Sequence, residues 1–212
     1  MPLASLTASL LGVAVIAAGV GFGLFIAARK KRSAEQAAAI SAAQPKPWGG
    51  ETVENWEDGA AVPTYAPFRD YMQRYPELQR PIAGRRADAS GIASFRAVVS
   101  GINNFSSLGP TPDYQAAPWV NEGDCADYAM RVRYELRRAG FDLGCIYQAH
   151  CEMPDGSWHA VVLVDTDLGT VGVSTAPNKG VIFALQELRR VGWKSWVREG
   201  QNSLGDWVLL AE

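Results

Sequence analysis

Gly123-Asp124-Cys125-Ala126-Asp127-Tyr128-Ala129-Met130-Arg131-Val132-Arg133-Tyr134-Glu135-Leu136-Arg137-Arg138-Ala139-Gly140 is the stretch whose periodicity decides the fold. Cys125, Tyr128, Ala129, Val132, Leu136 and Ala139 recur at helical spacing while Arg and Glu fall elsewhere, which predicts a helix over 124–139 with one apolar face. Its ends are marked in the sequence. Asp124 can cap the first turn with Asp127 beside it, Arg137 and Arg138 suit the negative end, and Gly140 can take the left-handed closing conformation. Cys125 then lies in the first turn, where the helix dipole and free amides favour a thiolate.

C-terminal to this helix, Leu143 to Cys151 reads as a strand and Met153-Pro154-Asp155-Gly156 as a turn. Trp158 to Asp165 reads as a buried strand, and Asp167-Leu168-Gly169 turns the chain into a third strand, Thr170 to Thr175. A helix over Val181 to Arg190 and a strand around Trp207 to Leu210 complete an α+β plan, a helix packed on an antiparallel sheet. On the N-terminal side, Phe68, Tyr71, Met72 and Tyr75 have helical spacing that Pro76 stops. A second helix is predicted over Ile92 to Asn103, with Phe95, Val98, Val99 and Ile102 on one face, followed by a loop rich in Gly, Pro and Ser to Asn121.

From Leu3 to Ala28 no residue is charged, a run long enough to cross a hydrocarbon core of about 30 Å. The basic cluster Arg29-Lys30-Lys31-Arg32 follows that run, whereas a cleaved signal peptide carries its charge before a shorter one. A single transmembrane anchor over 1–32 is therefore expected, and the basic flank predicts a cytoplasmic soluble domain. Residues 33–66, rich in Ala, Gln, Pro and Gly, read as a flexible linker, and 67–212 as the domain.

The net charge of −2 and pI near 5.8 leave no basic face for phosphate backbones, so nucleic acid is not an expected partner. Three cysteines imply no disulfide framework. Cys145 and Cys151 would stand roughly 20 Å apart on one extended strand, too far to bridge. A thiol nucleophile needs a base, and the chain has two histidines, His150 and His159. His159 opens the apolar run Ala160-Val161-Val162-Leu163-Val164 and so stands at the mouth of a core strand, while His150 can face either side of its strand.

Gly123-Asp124-Cys125-Ala126-Asp127-Tyr128-Ala129, preceded by Tyr75-Pro76-Glu77, Ile102-Asn103-Asn104 and Asp113-Tyr114-Gln115-Ala116-Ala117-Pro118 and followed by His159, resembles the bacterial transglutaminase-like cysteine peptidases. The resemblance spans Phe68 to the C-terminus. It implies Cys125 as nucleophile, His159 as base and a peptide or protein substrate, with no cofactor. That family places an Asp after the strand that follows the His; here Ser174 stands there, with Asn178 a second candidate for orienting the ring and Asp165 or Asp167 weaker ones. Gln115 replaces a Trp and is a candidate, with Asp124, for the substrate and oxyanion side of the site. Acidic residues flanking the Cys bind calcium in relatives of that family; Ala126 replaces the usual Glu, so no metal dependence is expected. Met72 and Leu78 replace paired cysteines, which suits a reducing compartment, although family analogy would place the domain in the periplasm. A membrane-anchored cysteine peptidase is the leading expectation. The alternatives are an inactive scaffold of the same fold and a cell-wall amidase or endopeptidase.

Overall fold

Burial on both faces of one strand organises the structure, a computed structural model that describes residues 44–79, 89–102, 104–108, 113–200 and 206–210. The strand is Trp158–Thr166, buried throughout from Ala160 onward. Among the described residues, in chain order, the strands are β1 (Asp58–Val62), β2 (Ser106–Ser107), β3 (Glu122–Gly123), β4 (Ile146–Glu152), β5 (Trp158–Thr166), β6 (Gly169–Val173), β7 (Ile182–Ala184), β8 (Lys194–Glu199) and β9 (Trp207–Leu210). The helices are α1 (Ala66–Arg74), α2 (Ala89–Gly101), α3 (Cys125–Arg138) and α4 (Leu185–Arg190). Seven strands form one antiparallel sheet in the order β1-β9-β8-β4-β5-β6-β7, and β2 and β3 pair in parallel beside it.

Alternation along β5 divides the core. Ala160, Val162 and Val164 pack with Ala126, Ala129, Val132 and Leu136 of α3, while Val161 and Leu163 pack with Leu185, Leu188, Trp193 and Trp196 on the opposite face. Each fully buried Val or Leu contributes about 1.5–3 kcal/mol relative to exposure, so a two-sided strand is the strongest single anchor available to the sheet. A buried ion pair then fixes the rotation of α3: Arg133 pairs with Glu199 of β8, its Nε donates to Leu78 O at 2.8 Å, and Glu199 also accepts from Gln148 N at 2.7 Å. Arg133 Nη2 lies 3.4 Å from the other Glu199 oxygen, Oε1, so the carboxylate has a donor on both oxygens, the condition under which a buried pair is tolerated.

The linker expectation over 33–66 is corrected from Gln44 onward. The compact unit that holds the described residues begins at Gln44 rather than at 67. Trp48, Val53 and Trp56 are buried, Trp48 N donates to Ile182 O at 2.8 Å, Val53 N donates to Leu168 O at 2.6 Å, and β1 pairs with β9. These anchors have no regular spacing because the segment crosses from β7 at one edge of the sheet, past the β5–β6 turn, to β9 at the other, as an irregular strap rather than presenting one face. Gly169 shows how close the strap runs: at φ +118 its position would put a Cβ 2.2 Å from Val53 O. Arg198 of β8 reaches the same strap through Asp58 at 2.9 Å.

Three further differences concern strands. Val181 to Arg190 is not all helix: Ile182–Ala184 pairs with β6, and helix begins at Leu185. Strand β8 has no sequence signal, since in Lys-Ser-Trp-Val-Arg-Glu the charges Arg198 and Glu199 are buried by pairing rather than exposed. Leu143–Cys145 forms a 3-10 turn before β4 begins at Ile146. The apolar run Leu3 to Ala28, the basic cluster 29–32 and residues 33–43 of the expected linker lie outside the described residues. Among those described, no helix is long and apolar enough to cross a membrane.

Candidate active site

The quoted signature folds into a capping box. Asp124 Oδ1 accepts from Ala126 N at 2.8 Å and Asp127 N at 3.0 Å, and Asp127 Oδ2 accepts from Asp124 N at 3.2 Å. Asp127 Oδ1 also accepts from Ala116 N at 2.9 Å, which ties the 113–118 segment to the helix start. Gly123 is required there, because at φ +148 a Cβ would lie 2.4 Å from Asp127 Oδ2. The acidic residues around Cys125 thus serve the backbone first.

Cys125 is half-buried at the first position of α3. Burial pushes its thiol up to about 11; a hydrogen bond from the Ala160 backbone opposes this, and the Asp124 and Asp113 carboxylates add to it. The expected lowering by the helix N-terminus is therefore outweighed, because desolvation and two nearby anions disfavour a thiolate more than one helix end favours it. Asp124 is itself raised to about 6, chiefly by burial.

His159 and Ser174 meet at the end of the sheet. His159 Nε2 forms a short hydrogen bond with Ser174 Oγ, and Ser174 Oγ donates to Ala160 O at 3.0 Å. The last register pair of β5 and β6 is Val162 with Val173, so the Ala160 peptide has no strand partner on that side. Its carbonyl is taken by Ser174, and its amide acts on the Cys125 sulfur by opposing the raising of that thiol. A carbonyl can only accept, so the Ser174 proton is committed to Ala160 and Oγ must accept from His159 Nε2–H. That fixes the tautomer and leaves the lone pair of the ring on Nδ1. Burial holds His159 down to about 4, with Asp155 opposing, and Trp193 lies edge-on to the ring at 5.5 Å. Among the described residues no hydrogen bond joins Cys125 Sγ to His159, and alternation puts His159 on the Val161 face while Cys125 packs against the Ala160 face.

The remaining candidates are dispersed. Asn178 is exposed and its carbonyl closes a turn by accepting from Val181 N at 3.2 Å. Asp165 is buried at the far end of β5, where it accepts from Thr170 Oγ1 at 2.7 Å. Gln115 is exposed, its Nε2 3.4 Å from Asp113 O, on the rim of a cleft. Two residues of the site were not assigned from sequence. His150 faces α3, with Nε2 2.6 Å from the buried Tyr114 hydroxyl and its ring 5.0 Å from Tyr65, and burial holds it down to about 4. Tyr114 adopts φ +61, a left-handed conformation unfavourable for a bulky residue. Alternation within β4 carried the signal for His150: Tyr147, Ala149 and Cys151 pack on one face and leave His150 on the other.

No protein-family model matches the chain, and no curated protein matches it by sequence. The chain is similar to two solved structures, Legionella pneumophila LapG and its EGTA-treated form, each at 17% identity with a TM-score of 0.45, covering 67% of this chain and 77% and 75% of theirs. That likeness concerns the α+β fold alone. The chemistry of the site rests on its own geometry.

Calcium does not fit the residues present. Asp124 Oδ1 is engaged by two amides, both Asp127 oxygens accept from backbone N–H groups, and Ala126 offers no oxygen. A hard cation needs six or more oxygens, which this helix start lacks.

Proposed function

We propose that the chain is a cysteine peptidase in which Cys125 attacks a peptide carbonyl and His159 carries the proton. The observation that supports this is the backbone of Ala160: its carbonyl accepts from Ser174, which sets His159 with Nδ1 free, and its amide lies on the side of the Cys125 sulfur and opposes the raising of that thiol. Since the resting thiol and imidazole are both neutral, attack and proton transfer are concerted rather than starting from an ion pair. The Cys125 S–H proton passes to Nδ1 as the C–S bond forms, with the Cys125 backbone N–H facing the developing oxyanion. The imidazolium then protonates the leaving amine, leaving a thioester. Water, deprotonated by Nδ1, cleaves that thioester and the proton returns to sulfur. The apolar run Leu3 to Ala28 supports a membrane tether for this domain, and the basic residues 29–32 support a cytoplasmic face.

A second reading, a weakened domain that binds without turnover, is favoured by the missing Cys125–His159 hydrogen bond and by Ser174, which orients a ring without stabilising its charge. Labelling with an uncharged thiol electrophile, read peptide by peptide, separates the two. Catalysis predicts labelling of Cys125 that is slow in the parent chain, because its thiol is neutral at rest, and that falls at least about a further tenfold in His159→Ala. An unchanged rate in that variant refutes the peptidase reading and leaves the binding one.

A further inference from the structure

An open cleft of about 610 Å3 is lined by Tyr65, Pro67, Asp70, Arg74, Asp113 and Gln115. It is tied to the helix start that carries the candidate nucleophile, since Ala116 N, next to the lining residue Gln115, donates to Asp127 Oδ1 at 2.9 Å, and the Asp113 carboxylate helps raise the Cys125 thiol. Two carboxylates and one guanidinium line it, but the three are not equally available. Arg74 is engaged: Nη2 donates to Tyr114 O at 2.6 Å, and Cζ lies 5.3 Å and 5.9 Å from the Tyr71 and Tyr75 ring centroids. Among the described residues Asp70 pairs with Arg69 alone, at 4.0 Å, both side chains mostly exposed, a pair of negligible strength. Asp113 Oδ2 accepts from Tyr65 OH at 2.6 Å, and among the described residues no cation pairs with it. A phenol donor leaves the negative charge of that carboxylate in place.

We infer that this cleft takes a positively charged side chain, Lys or Arg, of the peptide presented to Cys125, with Asp113 as the residue that sets the preference. The inference rests on the peptidase reading above. A cationic group would meet Asp113 and Asp70 together with the partly exposed ring of Tyr65, the combination of carboxylate and aromatic face that ammonium and guanidinium groups favour. An acidic side chain would face both carboxylates, and an apolar one would strip water from them without replacement. Cation binding would also offset one of the two anions that disfavour the Cys125 thiolate, so the correct substrate would assist its own attack.

The test uses binding, which needs no thiol chemistry. The full chain carrying Cys125→Ala is titrated by NMR with three capped tripeptides, alanine-X-alanine, in which X is lysine, norleucine or glutamate. The lysine peptide is expected to bind roughly three- to tenfold more tightly than the norleucine peptide and the glutamate peptide more weakly than both. Asp113→Asn keeps an acceptor for Tyr65 and should cut the lysine preference to less than about twofold, as should raising the salt to about 1 M. Equal binding of lysine and norleucine peptides, no binding of the lysine peptide at millimolar concentration, or a preference untouched by Asp113→Asn would overturn the inference. Should Asp113→Asn fail to fold, the lysine-to-norleucine ratio on the intact cleft decides. A lysine preference without reactivity that depends on His159 would leave the cleft assignment standing and remove the peptidase.

Discussion

Ser174→Ala is the most informative single change, because one hydroxyl serves two buried partners. Removing Oγ leaves His159 Nε2–H without an acceptor and Ala160 O without its donor. Each lost hydrogen bond contributes about 1 kcal/mol net, and a buried orphan costs about 1–3 kcal/mol, so a total near 2–3 kcal/mol is expected. For a unit of this size, that lowers Tm by roughly 4–10 °C. The more specific effect is on the ring. Loss of an acceptor fixed at Nε2 removes about 1 kcal/mol of tautomer bias, close to a fivefold change in the ratio of Nε2–H to Nδ1–H forms. Long-range proton–nitrogen NMR of histidine-labelled protein reads that ratio directly, and with His150 and His159 the only histidines the assignment needs one further variant. A mainly Nε2–H His159 in the parent chain that becomes mixed in Ser174→Ala is the expected result. An unchanged ratio together with a Tm shift below about 1 °C would refute the bridge and the base assignment built on it.

Ser174→Asp places a carboxylate against Nε2 and should raise His159 from about 4 by roughly one to three pH units, because an adjacent anion favours imidazolium; NMR titration measures it, and an unmoved ring would show that the carboxylate does not reach. In His159→Ala, where no ring assists, alkylation of Cys125 should accelerate about tenfold per pH unit until near pH 11, and a plateau below pH 8 would show that burial does not govern the thiol. Gly123→Ala should cost several kcal/mol or prevent folding, since its Cβ would strike Asp127 at a backbone angle unfavourable for alanine, and a melting point within about 2 °C of the parent would contradict this. Stability should fall as pH drops from about 6.5 towards 4. His150 and His159 titrate near 4 when folded against an ordinary 6.5, so the unfolded chain takes up protons that the folded one refuses, roughly 3 kcal/mol at most for each ring. Asp124 acts in the opposite direction, because its folded value near 6 exceeds the ordinary 3.8 and protonation relieves its burial, so the decline should steepen in Asp124→Asn. A melting point that rises over that pH range would refute the balance.

What was legible in the sequence was periodicity with strong end signals. The helix Cys125–Arg138, the hairpin of Ile146–Glu152 with Trp158–Thr166 and the return strand Gly169–Val173 follow from apolar spacing, Asp124, Gly140 and the turn at Asp155-Gly156. The strap and β8 were illegible for one reason. Trp48, Val53 and Trp56 are single anchors at uneven intervals, and Arg198 and Glu199 are buried only because Asp58 and Arg133 arrive from distant parts of the chain to pair with them. No local window contains such a pair. The candidate site divides in the same way. Cys125 and His159 could be named from their order along the chain and Ser174 from the family resemblance, but Ala160, whose carbonyl accepts from Ser174, opens an apolar run, and nothing in its side chain announces a role.

The same division bears on why a serine can occupy the third position. A buried aspartate beside His159 would be costly unless the imidazole were charged, and an imidazolium is costly where burial already holds the ring near 4. Ser174 avoids both costs: it is 2% exposed yet fully satisfied by Ala160 and His159 without introducing charge. The consequence is a site whose resting state is neutral at sulfur and ring, with negative charge kept at Asp113 and Asp124 instead. Such a site is quiet towards small electrophiles until something compensates those anions. If Cys125 reacts at all, the compensating charge must come with the substrate, which makes the cationic preference of the cleft and the reactivity of the thiol two measurements of one electrostatic balance.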